Sequence, residues 1–465
     1  MKVGRWKVLG LGSALAIGFV SVADAAQIRV TNDTFADVGL NMKIWYRSLD
    51  KRSNSTSDGG WSRNVFTVGQ GTVGQGKIYF SGQITKLFKF YGEFDQERDE
   101  GLGSGKIGEA AIGLQPMKEF NIMAGLIRKP FSRYHLVSGY ALLMPLDNFL
   151  DPHNSTRIRA HLTSKADGGL MIHGDLGGGV LTYRLGIFNE DRDNANKVFA
   201  GFLDGTTRRG WVDATSYSGK LNDKKNFEWA GRIEFQPLML GFKPESAATI
   251  TSKIADTRLG ARDIFVIGLG YNKETHTPKL SGAPSGATGI SVSNIANKTL
   301  SRTGWTIDML IEKKFGNVIP NLQAAYISLD DSHFYYKYVH NGTHFIGTPK
   351  KGDTKAWYVQ GQLLFDQVVG IGKPALAFRY EKVNADGEYV YNATRLRKKD
   401  LESSTFGLAL NYYIRGQAAR VSFGFDTTKY NGAASAYLKH SGPTTVPIKS
   451  EDRITDWYLY LQSMF

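Results

Sequence analysis

The 465-residue sequence contains no cysteine, so it can hold neither disulfide bonds nor thiolate metal sites. Long apolar runs are also few, because beyond residue 22 none approaches the ~20 residues that a helix needs to cross a membrane. Extended helical patterns and Pro-rich or Ser-rich linkers are missing as well. These absences argue against membrane-spanning helices and against a chain of several soluble domains.

The first 25 residues have the layout of a secretory signal peptide. Three basic residues precede an apolar run over 8–22, and Ala23-Asp24-Ala25 supplies the small residues that a signal peptidase accepts. The run is short for a membrane anchor and has a cleavage site behind it. We therefore predict a signal peptide over 1–25 and an exported mature domain over 26–465.

What recurs through the mature chain is a segment of about ten residues with alternating polarity, followed by a turn or a loop. The stretch FKFYGEFD at 88–95, for example, alternates aromatic residues or glycine with polar residues, which is the period of a strand. Such segments are typical of a transmembrane β-barrel. We count sixteen candidate strands: 38–48, 74–84, 87–95, 106–115, 119–127, 169–177, 180–188, 227–236, 262–272, 303–313, 320–330, 356–366, 373–384, 404–414, 418–428 and 454–465. The predicted fold class is all-β, a transmembrane antiparallel barrel of about 16 strands.

The connections between these strands alternate in length, as expected for short periplasmic turns and long extracellular loops. The short gaps are 85–86, 116–118, 178–179, 318–319 and 416–417. One gap, 237–261, is long where a short turn is expected, and the sequence gives no reason for it.

The last ten residues, DWYLYLQSMF, place Trp457, Leu459, Leu461 and Phe465 at alternate positions. This ending resembles the closing-strand signal that the outer-membrane assembly machinery reads, with Ser463 as a departure from it. The sequence therefore predicts a bacterial outer-membrane location, with the barrel-assembly machinery as a partner through Phe465. Outer-membrane lipid and lipopolysaccharide are the expected surroundings.

Two motif patterns that would indicate an enzyme or a nucleotide site lack the required context. The stretch GQGTVG at 69–74 fits the dinucleotide fingerprint, but an alternating strand follows it instead of a helix. Eight of nine histidines fall in predicted loops, and neither a G-x-S-x-G elbow nor an H-E-x-x-H helix is present. We therefore predict no catalysis, no cofactor, no metal and no nucleic-acid partner. A hydrolase at the barrel rim stays open as an alternative, since catalytic triads are recognised by geometry.

Four stretches resemble the phosphate-selective porin O and P family, in that family's order. They are KIYFSGQITKLFKFYGEFD, MAGLIRKPFSRYHLVSG, LMIHGDLGGGVLTYRLGIFNED and the ending LYLQSMF. The resemblance covers about 75–240 and the last strand, and Glu190 stands where the family commonly has glycine. It implies a sixteen-stranded, trimeric diffusion channel that prefers anions.

In porins of this size the loop after the fifth strand folds inward, which here is the connection of about 128–168. It carries more basic than acidic side chains, and an arginine fork suits an oxyanion because it offers several N–H donors and stays charged. The predicted anion-binding residues in this loop are Arg133, Arg157, Arg159 and Lys165.

Basic residues on the polar faces of the strands would continue the anion path along the wall. By alternation these are Lys43, Arg47, Arg184, Arg379, Arg415 and Arg420. Five carboxylates are also expected to face inward and to limit the positive field: Glu93, Asp95, Asp308, Glu312 and Glu381.

The sequence therefore predicts a passive outer-membrane channel for small anions, with phosphate as the first candidate. Two alternatives stay open: a porin for short-chain amides, other oxyanions or neutral nutrients, and a structural or adhesive barrel with a plugged lumen.

Overall fold

The computed structural model describes most of residues 26–465. The described residues are 26–52, 61–68, 76–96, 105–145, 166–189, 200–201, 211–212, 227–276, 300–334, 337–340, 343–346, 350–385, 389–392, 395–398, 401–432, 436–439, 445–448 and 453–465. Residues 1–25, which carry the predicted signal peptide, and the glycines Gly69, Gly71 and Gly74 lie outside this set.

The described residues form a closed antiparallel barrel of sixteen strands, so the predicted fold class is confirmed. Its strands are β1 (Phe35–Arg52), β2 in two pieces (Trp61–Val68 and Gly76–Gln83), β3 (Phe88–Gln96), β4 (Gly105–Leu114), β5 (Asn121–Arg128), β6 (Ala166–Leu176), β7 (Leu181–Asn189), β8 (Phe227–Phe235), β9 (Ile264–His276), β10 (Leu300–Glu312), β11 (Val318–Phe334), β12 (Lys350–Phe365), β13 (Lys373–Ala385), β14 (Leu401–Arg415), β15 (Ala419–Gly432) and β16 (Arg453–Met464).

The barrel closes where β1 pairs with β16, in a register that sets Asn41 opposite Met464. The two pieces of β2 pair with different halves of β1, which is why they form one interrupted strand of the barrel. A short N-terminal strand, Ala26–Arg29, pairs with the start of β1. Closure leaves the sheet without free edges, as a barrel in hydrocarbon requires.

Short and long connections alternate as predicted, so the barrel has a turn end and a loop end. The predicted turn at 318–319 is wrong, because those residues open β11 and the turn lies at 313–317. Gly316 permits this turn with a φ of 58°, a left-handed conformation that favours glycine. Four small hairpins lie in the long connections: Ala200–Gly201 with Trp211–Val212, Lys337–His340 with Thr343–Ile346, Tyr389–Asn392 with Arg395–Lys398, and Ala436–Lys439 with Thr445–Ile448.

Helix is confined to one α-helical turn, α1 (Arg133–Leu136), and two 3₁₀ turns, Gly177–Gly179 and Leu238–Leu240, among the described residues. None of the helices in this part of the chain is long and apolar enough to cross a membrane.

Alternation assigns each strand an apolar outer face and a polar inner face, as predicted. On β8, Trp229 and Ile233 are 61% and 52% exposed, whereas Glu228 and Arg232 are 0% and 1% exposed. The closing strand behaves in the same way, since Trp457 lies on the outer face and Tyr458 on the inner face. The charged side chains of β8 therefore point into the lumen.

Aromatic side chains line the outer face of β9–β16 in neighbouring registers. Ring centroids lie 5.2 Å apart for Trp305 and Tyr326, 5.3 Å apart for Trp357 and Tyr380, and 4.7 Å apart for Phe425 and Trp457. We call this set the aromatic girdle: Tyr271, Trp305, Tyr326, Trp357, Tyr380, Phe406, Phe425 and Trp457. It lies close to the middle of the strands, since Tyr326 is the ninth of the 17 residues of β11.

Candidate pore and its two inward segments

Residues 129–145, which follow β5, lie inside the barrel and are almost completely buried. We call them the loop segment. Ser132 caps its helical turn α1, accepting a hydrogen bond from the His135 backbone N–H. The carbonyl of Phe131 lies against Gly270 on β9 and its ring lies against Gly304 on β10. A Cβ atom at Gly270 would stand 1.8 Å from the Phe131 carbonyl oxygen, so glycine is what lets the segment approach the wall.

The inner wall of β11–β13 carries an apolar patch that holds the loop segment. Phe131 and Tyr134 pack there against Ala325, Ile327, Leu329, Ala356, Tyr358 and Val383. Apolar residues on the inner face of a barrel strand depart from simple alternation of apolar and polar residues. Here they exclude water from the contact that fixes the segment in the lumen.

The far end of the loop segment is fixed by polar side chains from four strands around the barrel closure. Asn411 donates to the Leu143 carbonyl at 2.9 Å, and Arg420 donates to the Leu142 carbonyl at 2.6 Å. Gln462 donates to the Tyr140 carbonyl at 3.1 Å, and Lys43 donates to the Gly139 carbonyl. The loop segment thus spans the lumen from β9–β13 to β14–β16 and β1.

The long gap between β8 and β9 is a second inward segment, which explains the length that the sequence left unexplained. After the turn Leu238–Leu240, Gly241 reverses the chain with a φ of 86°, and residues 242–263, the turn segment, run into the lumen. Ile254 donates to the Leu136 carbonyl at 3.0 Å, and its own carbonyl accepts from the Ser138 N–H at 2.9 Å. The two segments therefore meet by backbone hydrogen bonds inside the barrel.

Side chains of the wall tie the turn segment to opposite sides of the barrel. Asp175 on β6 accepts the Ala247 N–H at 2.6 Å. Lys253 donates to Glu93 on β3 and lies 3.3 Å from Glu109 on β4. Glu312 on β10 accepts the backbone N–H groups of Arg258 and Gly260 at 3.0 and 2.9 Å. The turn segment thus crosses the lumen and, with the loop segment, narrows it.

Of the four predicted anion-binding residues of the loop, only Arg133 lies among the described residues; Arg157, Arg159 and Lys165 fall outside them. Arg133 is 2% exposed and sits between the two segments. Its Nη2 donates to the Ala255 carbonyl at 2.5 Å, and its Nε lies 3.9 Å from an Asp256 carboxylate oxygen.

Five of the six predicted wall residues face the lumen, and three of these are ion-paired. Arg47 pairs with Asp456, Arg184 pairs with Glu234 at 2.9 Å, and Arg379 pairs with Asp426 at 3.2 Å. Such pairing holds each guanidinium in one position and offsets part of its charge.

The other two lumen-facing cations lie against tyrosine rings. The Lys43 ammonium is 4.3 Å from the centroid of Tyr140, and the Arg420 guanidinium is 5.1 Å from that of Tyr460. The prediction that Arg415 faces the lumen is wrong. The pairing register shifts between Tyr413 and Arg415, which leaves the Arg415 side chain exposed at the turn.

Buried carboxylates share the lumen with these cations. Four of the five predicted to face inward are buried, namely Glu93, Asp308, Glu312 and Glu381, and the side chain of Asp95 lies outside the described part. Arg232 bridges two neighbours, donating to both Asp308 oxygens at 2.6 Å and to Glu234 at 2.8 Å. The lumen is thus an alternation of fixed positive and negative groups.

A cavity of about 640 Å³ opens beside the turn segment, towards the turn end of the barrel. Six basic side chains line it against three carboxylates: Arg133, Arg184, Lys253, Arg258, Arg262 and Lys373 against Glu234, Glu245 and Asp366. Sequence reasoning missed four of these basic residues: Lys373 on β13, and Lys253, Arg258 and Arg262 in the turn segment. The sequence signal that could have found the turn-segment residues is the long gap 237–261, which stands where a short turn is expected and carries several basic residues.

The carboxylate of Glu245 stays ionised inside the cavity although it is buried. Burial alone would raise its pKa, but Arg258 and Arg262, each with a nitrogen 2.8 Å from Oε1, hold the pKa below its usual range. The two arginines are thereby fixed at the cavity wall.

Histidines do not form a metal centre in the part of the chain that the structure describes. No group of three or more His, Cys, Asp or Glu side chains could hold a metal ion there. The buried His173 has its Nδ1 2.7 Å from the Ala247 carbonyl, so it contributes to holding the turn segment.

No protein-family model matches the chain, and a comparison with curated proteins finds no match. Among solved structures, the chain is similar to the anion-selective porin from Comamonas acidovorans, with a TM-score of 0.51 and 9% identity, covering 93% of this chain and 100% of that chain. Its similarity to the outer membrane channel DcaP of Acinetobacter baumannii has a TM-score of 0.45 and 10% identity, covering 92% and 97% of the two chains. Its similarity to Salmonella typhi OmpF in complex with daunomycin has a TM-score of 0.45 and 11% identity, covering 94% and 100%. The first likeness shows the fold: this chain has the closed sixteen-stranded barrel of an outer-membrane porin.

Proposed function

We propose that this protein is a passive outer-membrane diffusion channel that admits small anions through a narrow lumen. The observation that carries the proposal is the basic cavity inside the closed barrel, where six cationic side chains face three carboxylates. A cavity lined mainly by one sign of charge raises the local concentration of the opposite ion.

The outer surface supports a membrane location. Large apolar side chains such as Ile233, Leu269 and Leu410 are each more than half exposed on the outer face, where water would disfavour them. The aromatic girdle also supports it, because outer-membrane barrels carry aromatic rings on their outer face at the membrane interfaces. Together with the predicted signal peptide over 1–25, these features favour the outer membrane.

The interior supports selective passage over general diffusion. Porins of this strand number can leave an aqueous channel, but here two segments cross the lumen and bond to each other. Many cations in it are paired with carboxylates, which keeps any single anion contact weak. At 4 Å and an effective dielectric of 20 one charge pair is worth about 4 kcal/mol before desolvation, so several unpaired cations at once would trap the ion.

The preferred anion is proposed to be phosphate, on the strength of the sequence resemblance to the phosphate-selective porin O and P family. The similar solved structure from Comamonas acidovorans is named an anion-selective porin, which agrees with this choice. We also propose a homotrimer, which native mass spectrometry of the detergent-extracted protein would test.

The test is a planar-bilayer recording of the purified protein across a potassium chloride gradient. An anion channel gives a reversal potential of the same sign as the equilibrium potential of chloride. Added phosphate then reduces the chloride current in a saturable way. A reversal potential near zero would favour the alternative of a porin for amides or neutral nutrients. A cation-selective reversal potential would refute the proposal.

A plugged structural barrel is a second candidate, favoured by the near-complete burial of the loop segment. In that case the same recording shows no unitary conductance from protein that migrates as a folded barrel.

A further inference from the structure

We propose that the loop segment and the turn segment together form a binding site for a small oxyanion in the cavity at the turn end. Arg133 of the loop segment and Arg258 of the turn segment are its principal ligands. This inference rests on the proposed function of an anion channel. It adds the position of one anion site, on a segment that enters the lumen from the turn end. It requires only that the cavity is reached by a solute from that end.

Arg258 is held in place and still has donor capacity to offer. Its Nε donates to Glu245 at 2.8 Å, and its Nη2 pairs with the second oxygen of the same carboxylate. The remaining nitrogen, Nη1, is buried without a hydrogen-bond partner among the described residues. An unsatisfied charged donor of this kind costs free energy unless a ligand or water accepts from it.

Arg133 reaches the same cavity from the other segment. Its Nη2 is engaged by the Ala255 carbonyl, while its Nε is buried without a hydrogen-bond partner in the described part of the chain. Both arginine side chains are more than nine-tenths buried, at 3% and 7% exposure, and both line the cavity. Arginine side chains from both segments thus line one cavity.

The charge balance favours an anion over a cation. Each carboxylate of the cavity is already paired twice: Glu245 with Arg258 and Arg262, Glu234 with Arg184 and Arg232, and Asp366 with Lys314 and Lys373. A cation entering would have to compete with these pairs, whereas Arg258 Nη1 and Arg133 Nε have no hydrogen-bond acceptor among the described residues. A neutral solute would gain nothing from the excess of six basic over three acidic side chains that line the cavity.

The donors select an oxyanion over a simple halide. The N–H groups of a guanidinium form a fork that suits the oxygens of a phosphate, sulfate or carboxylate group, and a halide cannot accept from such a fork with two separate atoms. The cavity of about 640 Å³ is large enough for such a group with some of its water. Binding is reversible and breaks no covalent bond, as passage through a channel requires.

The first experiment is isothermal titration of the full-length mature protein, folded in detergent, with inorganic phosphate. We expect saturable binding that Arg258→Gln weakens roughly tenfold or more, the effect of losing one charge-assisted hydrogen bond. Because that variant leaves Glu245 with fewer partners, the pair Glu245→Gln/Arg258→Gln is compared with Glu245→Gln alone. The pair should again bind more weakly than its single parent.

The matched control is Lys86→Gln, which removes the same charge from an exposed turn at the same end of the barrel. Its phosphate affinity should equal that of the wild type. Equal affinity of the Arg258 variants and their parents, with migration as a folded barrel retained, would overturn the proposal. So would an equal loss in the control, because the effect would then be the general field of a basic protein.

Titration arms with acetate and chloride separate oxyanion recognition from charge alone. We expect phosphate and acetate to compete for the site and chloride to compete poorly; equal competition by chloride would overturn the oxyanion assignment. The titration does not depend on conductance, so the two proposals can fail separately. A conducting anion channel without an Arg258-dependent site would refute this inference and leave the proposed function standing.

Discussion

Replacing Gly270 with alanine should displace the loop segment without changing any charge. The added Cβ would lie 1.8 Å from the Phe131 carbonyl oxygen and 2.8 Å from Thr306 Cγ2. Since Cβ atoms in proteins essentially never approach a neighbour closer than 3.0 Å, the Phe131 backbone has to move by more than an ångström. Inserting a methyl group into a packed contact typically costs about 1–3 kcal/mol, so we expect a lower unfolding temperature with the barrel still formed.

The same displacement should alter the pore. Phe131 lies near the start of the loop segment and belongs to the apolar contact that holds the segment in the lumen, so its movement loosens that contact. We expect single-channel currents that are larger or fluctuate between levels. The control is Gly76→Ala on β2, where a Cβ would meet no atom within 4 Å. If Gly270→Ala and Gly76→Ala match the wild type in both conductance and unfolding temperature, the loop segment does not rest on Gly270 in the functional protein.

Hydrogen bonds from two lysines hold the pKa of Asp366 below its usual 3.8, so its contribution to stability is present above that value and is lost as the pH falls through the folded pKa. Asp366→Asn should therefore lower the unfolding temperature at neutral pH and have little effect at strongly acidic pH, as thermal scans would show. Deleting Phe465 removes two backbone hydrogen bonds to β1, of 2.7 and 2.9 Å, and should lower outer-membrane insertion in fractionated cells while export continues. Changing Arg133, Arg157 and Arg159 to alanine should lower the anion-over-cation permeability ratio in bilayers.

Controls decide each of these three outcomes. For Asp366, a stability difference that stays the same from neutral to acidic pH would contradict the linkage. Normal barrel levels in the strain lacking Phe465 would contradict an assembly role. For the arginines, the control changes Lys439, Lys449 and Arg453 to alanine, which removes the same charge. If both triple variants shift the reversal potential equally, the effect is one of net charge.

The strand pattern could be predicted from the sequence because it is a local property. Alternating polarity repeats every two residues, so it identifies a strand and its lumen face without knowledge of its neighbours. It cannot identify partners: Arg47 was predicted to face the lumen, but its ion pair with Asp456, 409 positions away, depends on barrel closure. The placement of Arg415 was not predicted because one irregular register step reverses the face of every residue after it.

The turn segment escaped prediction for a different physical reason. Its residues are neither alternating nor helical, since they bond to side chains of the wall and to the loop segment instead of to neighbouring strands. The bond between Ile254 and Leu136, for example, joins parts of the chain that are distant in sequence. Only the unexpected length of 237–261 hinted at it, and length alone does not say that a connection folds inward.

The crossing of the lumen by two mid-chain segments has a consequence for the order of biogenesis. Both segments are connected to the chain at β5 and β8–β9, whereas the seam joins the first and last strands. Lys43, Arg420 and Gln462, from β1, β15 and β16, all contact carbonyls of the loop segment. The segment therefore contacts strands on both sides of the β1–β16 seam from inside the barrel. It can hold the two sides in register while β16 pairs with β1. If the loop segment enters the lumen before β16 pairs with β1, these bonds favour closure, so docking of the segment and closing of the seam stabilise each other.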